Sequence, residues 1–156
     1  MSTDVERFMA FSAEVTAYSI FELQGTGVAE QYAQAVRDIV GGPVVDELLD
    51  RYELAIAEAD GPADRVVRLR REVFSDPHVG PVARNIIKLW YVGIWYELPK
   101  AWTDRYGALP KNTTFTVTPS GYVEALLWPS IGANPSGAKA PGFGSWATPP
   151  QIPTLS

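Results

Sequence analysis

The sequence predicts an all-α protein, a small bundle of about five to six helices that continues into a long irregular arm. Three observations lead to this fold class. Apolar residues recur at helical spacing through most of the first 100 positions. Glycine and proline pairs interrupt this pattern at intervals. The last 28 residues hold six of the thirteen prolines and only one charged side chain, Lys139. We therefore divide the chain into a helical bundle, 1–128, and an extended C-terminal arm, 129–156, within one structural unit.

The first two helices are predicted from their apolar stripes. Ser2 or Thr3 can cap a first helix that ends near residues 24–27. Its stripe comprises Val5, Phe8, Met9, Phe11, Val15, Tyr18 and Phe21. A second helix is expected from about Val28 to Val40, because an apolar face recurs there and Gly41-Gly42-Pro43 then interrupts it.

A third and a fourth helix follow that break. The third is expected to reach about Ala59, before Gly61-Pro62. The fourth, 64–74, is short and basic, and its arginines alternate with apolar residues. We expect those arginines, Arg65, Arg68, Arg70 and Arg71, to form the solvated side of an amphipathic helix.

A fifth helix is predicted from an Asp76 cap, opened by Pro77 or Pro81, to Leu98. Its apolar run is far shorter than the ~20 residues that a membrane span requires, so we expect no direct membrane insertion. A helix that is apolar on nearly every side instead lies at the centre of a bundle. The residues assigned to this core or interface helix are Ile87, Trp90, Tyr91, Ile94 and Trp95.

The rest of the chain is predicted to be mostly irregular. Phe115–Thr118 has the composition of one short extended piece, and a brief helix is expected over 121–128. In the arm, spaced aromatic residues supply apolar area that an extended segment cannot bury against itself, which favours a partner protein. The predicted partner-binding residues are Trp128, Ile131, Pro141, Gly142, Phe143, Gly144 and Trp146.

Composition excludes several kinds of site. The chain has no cysteine and one histidine, His78, so it offers no thiolate ligands and no histidine cluster for a metal. A net charge of −5 argues against nucleic acid as a partner. Gly25-Thr26-Gly27 lacks the strand and the third glycine of a dinucleotide loop. We therefore expect no cofactor and no metal in this chain.

Two carboxylates are candidates for catalysis. Glu97 and Glu124 each stand beside a bulky apolar run. General acid–base chemistry needs such a group in a pocket that shifts its pKa. A helix-end charge or an ion pair with a partner is the preferred explanation of either residue, and a small stand-alone enzyme that uses Glu97 or Glu124 is kept as an alternative function.

Two segments of the chain carry a family resemblance. Residues 80–95, which read GPVARNIIKLWYVGIW, and residues 122–146, which begin YVEALLW and include GAKAPGFGSW, resemble the small subunit of bacterial FAD-dependent sugar and polyol dehydrogenases. That group includes membrane-bound D-sorbitol dehydrogenase and fructose dehydrogenase. The helical pattern of residues 5–75 is also similar, so the resemblance extends over nearly the whole chain.

The resemblance implies a non-catalytic accessory subunit. FAD and the substrate site would lie in a large flavoprotein partner, often with a multihaem cytochrome as a third subunit. The small subunit would stabilise the large one, assisting its folding, flavin loading or export, and a transient chaperone of the flavoprotein is the alternative. The family's twin-arginine leader does not occur in this sequence. As the sequence stands we expect a cytoplasmic protein, or a periplasmic or membrane-associated complex if a leader was removed.

Overall fold

The computed structural model describes residues 3–107 and 109–135, and the predicted all-α fold class is confirmed. The only strands in these residues are two short ones. In chain order the elements are α1 (Thr3–Thr16), α2 (Ile20–Gly25), α3 (Ala29–Val40), α4 (Gly42–Ala57), α5 (Pro62–Leu69) with a π-helical turn (Arg70–Phe74), α6 (Val79–Val92), β1 (Ile94–Trp95), α7 (Lys100–Tyr106), β2 (Phe115–Thr116), α8 (Ser120–Val123) and α9 (Leu127–Ser130).

The predicted first helix is two helices. Ala17 adopts a positive φ of 63°, and Ser19 starts α2 through a capping box. The Ser19 hydroxyl accepts the backbone N–H of Glu22, whose carboxylate accepts the N–H of Ser19. The new helix changes the direction of the apolar stripe. Phe21, which the stripe assigned to the core side, is therefore 83% exposed.

Helices α3 and α4 begin and end within about two residues of the prediction. Gly41 separates them, and Gly42 and Pro43 form the first turn of α4. Helix α5 differs from its prediction in orientation. The side chain of Arg65 turns inward to Glu14 on α1, and Val66 and Val67 are each 57% exposed. The expectation that the arginines form the solvated side was therefore wrong for Arg65 and for Arg68, which is paired with Glu58 and Asp64, whereas Arg70 and Arg71 are exposed.

The entry to α6 follows the prediction. The Asp76 carboxylate accepts the backbone N–H groups of His78 and Val79 at 2.8 and 2.9 Å. The His78 ring stacks on Tyr106 of α7 at 4.2 Å between centroids, and its Nδ1 lies 2.8 Å from a carboxylate oxygen of Glu47 on α4. The lone histidine therefore joins three helices as a structural contact.

Helix α6 ends six residues earlier than predicted. It stops at Val92, and Ile94 and Trp95 form β1, which pairs antiparallel with Phe115–Thr116. The assignment of Ile94 and Trp95 to a helix was therefore wrong. Trp95 is nevertheless fully buried, and its indole N–H donates to the side-chain oxygen of Asn112 at 3.3 Å.

The centre of the core is the α6 residue Trp90, which is 1% exposed. Its indole ring packs against Phe8 of α1 at 6.4 Å and edge-on against Tyr32 of α3 at 5.1 Å. Ile87 and Tyr91 of the same helix are half-buried. Three of the long helices therefore meet around one aromatic side chain.

Candidate partner-binding surface

The C-terminal part of the described chain is positioned by the end of α6. Gly93 has a left-handed backbone, with φ of +75°, and its N–H donates to the carbonyl of Leu89 at 2.8 Å. The helix end leaves the Trp90 carbonyl free to accept the N–H of Leu126 at 3.0 Å. The segment 120–126 is thereby fixed to α6 by backbone contacts.

Two glycines allow this close approach. A Cβ atom on Gly93 would lie 2.6 Å from the carbonyl carbon and oxygen of Gly121, closer than any real contact. A Cβ atom on Gly121 would lie 3.1 Å from the Cα of Gly93 and from the hydroxyl oxygen of Tyr32. The turn at Gly121 is thereby packed against the end of α6, and the described part of the second resemblance segment, 122–135, is joined to the first by the Leu126–Trp90 hydrogen bond.

Beside this contact lies a groove between α2 and residues 123–135. It has a volume of about 360 Å³. Its wall residues are Tyr18, Glu22, Gly25, Thr26, Val123, Glu124, Ala125, Leu126, Trp128, Pro129, Ala133, Asn134 and Pro135. We call it the α2 groove.

Hydrogen bonds between distant parts of the chain close the back of the α2 groove. The hydroxyl groups of Tyr18 and Ser130 are 2.7 Å apart, and the Ser130 hydroxyl also donates to the Leu126 carbonyl at 2.7 Å. The Tyr91 hydroxyl donates to the Thr16 carbonyl at 2.9 Å. The Tyr18–Ser130 bond joins the segment between α1 and α2 to α9, and the Tyr91–Thr16 bond joins the ends of α6 and α1, so the elements around the groove are held in place.

Large apolar side chains are exposed on the elements that form the groove walls. Phe21 stands on α2, Tyr122 on α8, and Leu127 and Ile131 are neighbours one helical turn apart at α9. Ile131 is 47% exposed. We call these four residues the C-terminal apolar surface. Exposed aromatic and aliphatic side chains that flank a groove are typical of a protein-binding site.

The predicted arm residues have different positions relative to this surface. Ile131 belongs to it. Trp128 is half-buried in α9, where its indole N–H donates to the Tyr122 carbonyl at 2.7 Å and its ring meets that of Tyr122 edge-on. The helical residues of α9 also include Pro129 and Ser130, which were assigned to the irregular arm. Pro141, Gly142, Phe143, Gly144 and Trp146 lie outside the described residues.

The electrostatics of the groove come from two carboxylates. The Ser19 hydroxyl and backbone N–H lower the pKa of Glu22 by hydrogen bonding to its carboxylate. Glu124 is half-buried on the opposite wall. Burial, with the charge of Glu124, raises the pKa of the Tyr32 phenol to about 12. The groove therefore presents negative charge between apolar side chains.

The two catalytic candidates are not brought together. Glu97 is exposed between β1 and α7, where its backbone N–H donates to the Thr114 hydroxyl at 2.9 Å. Glu124 belongs to the α2 groove. General acid–base catalysis relies on a secluded carboxyl group, and an exposed side chain does not provide one. Glu97 therefore does not meet this requirement, and the enzyme alternative depends on half-buried Glu124 alone.

Sequence reasoning missed Phe21 and Tyr122 as surface residues. For Phe21 a signal was present, since Ser19-x-x-Glu22 is the pattern of a capping box and predicts a helix start at that point. For Tyr122 no signal was available. The helix expected over 121–128 is replaced in the structure by two helices of four residues each, α8 and α9, and helices of that length are too short to show an apolar stripe in the sequence.

Comparisons with protein-family models, with curated proteins and with solved structures found no match for this chain. Among the helices that the structure describes, none is both long enough and apolar enough to cross a membrane. Within residues 3–107 and 109–135, no group of three or more acidic or histidine side chains is placed to hold a metal ion.

Proposed function

We propose that this chain is a non-catalytic accessory subunit that binds a large flavoprotein, of the FAD-dependent sugar or polyol dehydrogenase class, through the C-terminal apolar surface. The observation that carries the proposal is the exposure of Phe21, Tyr122, Leu127 and Ile131 on or next to α2, α8 and α9, elements that also contribute wall residues to the α2 groove. Desolvating such side chains against a partner is a main source of interface stability. FAD would be bound by the partner, and this chain would stabilise it or assist flavin loading.

The similarity of residues 80–95 and 122–146 to the small subunits of those dehydrogenases supports the choice of partner. The hydrogen bond from the Leu126 N–H to the Trp90 carbonyl joins the two segments, and with the neighbouring Gly93–Gly121 contact it positions α9 and its exposed side chains. A partner that contacts this surface would cover the part of the chain from which the Pro/Gly-rich arm continues.

The test is co-expression of the chain with the large subunit of an FAD-dependent sugar or polyol dehydrogenase, followed by purification through a tag on that flavoprotein. We expect Phe21→Ser and Ile131→Ser each to weaken the complex by about 2 kcal/mol, a typical hot-spot value. Leu54→Ser is the matched control, because Leu54 is 59% exposed on α4, a helix that carries no residue of the C-terminal apolar surface. We expect it to retain wild-type affinity.

A second set of variants addresses the arm. Deleting residues 137–156 should weaken the complex while the helical body stays folded, and Phe143→Ala and Trp146→Ala should each have part of that effect. A complex that forms only with flavin-free flavoprotein would identify a transient chaperone. Dehydrogenase turnover by the isolated chain, or unchanged affinity in all of these variants, would contradict the proposal.

A further inference from the structure

The chain turns back sharply at the end of α9. Gly132 has a left-handed backbone, with φ of +67°, and its N–H donates to the carbonyl three residues earlier at 3.1 Å. The next N–H, that of Ala133, donates to the Trp128 carbonyl at 2.9 Å, which completes a Schellman motif. The turn places residues 133–135 in the wall of the α2 groove, and Pro135 is buried there. The chain therefore enters the arm from the groove wall itself.

The α2 groove is acidic, and the arm carries a single cation close to it. Glu22 and Glu124 are among the groove walls, and the wall residues within the described part of the chain include no lysine, arginine or histidine. Lys139 is the only charged residue of 129–156. It follows Pro135 by four positions, and four residues span at most about 14 Å. The tether therefore keeps this cation near the groove carboxylates.

The residues around Lys139 have the composition that a narrow groove requires. Ser136-Gly137-Ala138 precedes it and Ala140 follows it, so Lys139 carries the one large side chain of residues 136–140. Small side chains let a segment lie close to the groove walls. The apolar stem of a lysine can rest on apolar wall residues while its ammonium group reaches a carboxylate.

We propose that the α2 groove binds residues 136–140 of its own chain, with the Lys139 ammonium group between the carboxylates of Glu22 and Glu124. Charge complementarity favours a cation in this groove. The tether selects this cation over one from another molecule, because a short linker gives an effective concentration in the millimolar range.

This inference does not rest on the proposed function, since it concerns the chain without a partner. Under the proposed function it would have a consequence for the arm. Phe143 and Trp146 would reach the flavoprotein from a fixed starting point, which would reduce the entropy lost when they bind.

The experiment uses a pair of introduced thiols, which the absence of cysteine from the full-length chain makes unambiguous. Gly25 lines the groove, and a Cβ atom there would meet nothing within 4 Å, so Gly25→Cys disturbs no packing. Ala138→Cys supplies the second thiol. Exchange with glutathione measures the effective concentration of the two thiols, and we expect a value in the millimolar range. Thermal melts of the reduced chains check that the fold is intact.

Changes of charge in the two-cysteine chain separate docking from tethering alone. Lys139→Met should lower the effective concentration about two- to fivefold, the range expected of one exposed ion pair, whereas the matched control Lys139→Arg should retain it. On the groove wall we choose Glu22→Gln, because glutamine at this position preserves the capping box of α2. It should have an effect similar to that of Lys139→Met. Added salt should also lower the effective concentration.

Three results would overturn the proposal. One is an effective concentration below the millimolar range in the two-cysteine chain. Another is an effective concentration that does not change in Lys139→Met or in Glu22→Gln, which would show that the tether alone brings the thiols together. The third is a disulfide that forms between chains, seen as a covalent dimer, which would assign the groove to the arm of a second copy. None of these measurements involves the flavoprotein, so failure of the proposed function would not affect them.

Discussion

Gly93→Ala tests the backbone contact on which the α2 groove depends. Gly93 has φ of +75°, and an L-residue there costs roughly 1–2 kcal/mol. The added Cβ would also lie 2.6 Å from the backbone of Gly121, which no side-chain rotation can relieve. Overpacking of this kind costs about 1–3 kcal/mol. We therefore expect a total loss of about 2–5 kcal/mol, a large part of the ~5–15 kcal/mol that stabilises a typical domain.

Gly27→Ala is the matched control. Gly27 has nearly the same φ, +71°, but a Cβ atom there would meet nothing within 4 Å. It should lose only the conformational part, about 1–2 kcal/mol. The assay is urea unfolding followed by circular dichroism, and the difference between the two variants isolates the contact with Gly121. Equal losses in Gly93→Ala and Gly27→Ala would show that the two segments do not approach as closely as described.

Two further predictions concern the core and the entry to α6. Trp90→Ala should cost about 3–5 kcal/mol in a thermal or urea melt, since it empties the centre of the core, and an unchanged melt together with lost partner binding would contradict the core position. Burial raises the pKa of Asp76, but hydrogen bonds from the Val79 and His78 amides and the charge of Arg51 outweigh it and lower the pKa overall. The folded pKa lies below the unfolded one, so this stabilisation is present above about pH 4 and is lost as the pH falls through the folded pKa. The stability gap between wild type and Asp76→Asn should therefore shrink between neutral pH and about pH 3, and a constant gap would refute this assignment.

The fold class and the boundaries of α3 and α4 follow from the sequence because strong local signals agree there. An apolar period of 3.6 defines each helix, and Gly41-Gly42-Pro43 separates them. Where local signals compete, the prediction failed. The apolar stripe of the first helix continues past Ser19, although the capping box there starts a new helix. The apolar run around Trp90 continues past Gly93, although the left-handed backbone of Gly93 ends α6.

The orientation of α5 could not have been predicted from its own residues. Its sequence offers valines and arginines that could each have faced the body. The choice is made by acidic residues elsewhere in the chain, Glu14 on α1 and Glu58 at the end of α4, which bind Arg65 and Arg68. The same orientation buries Leu69 and Val73, so the ion pairs and the burial of these two residues favour one choice, which the hydrophobic pattern of α5 alone does not specify.

The candidate site likewise depends on contacts between residues far apart in sequence. Tyr18 and Ser130 are separated by 112 positions, and Tyr91 and Thr16 by 75, yet these pairs hold together the elements around the α2 groove. A partner that touched Phe21 and Ile131 together would contact α2 and the end of α9, which the Tyr18–Ser130 bond helps to hold in register. Under the proposed function, binding at this surface would therefore be coupled to the docking of residues 120–131 on α6. Because an undocked segment would separate the two anchors, partner affinity should depend on buried Gly93 as well as on the exposed side chains themselves.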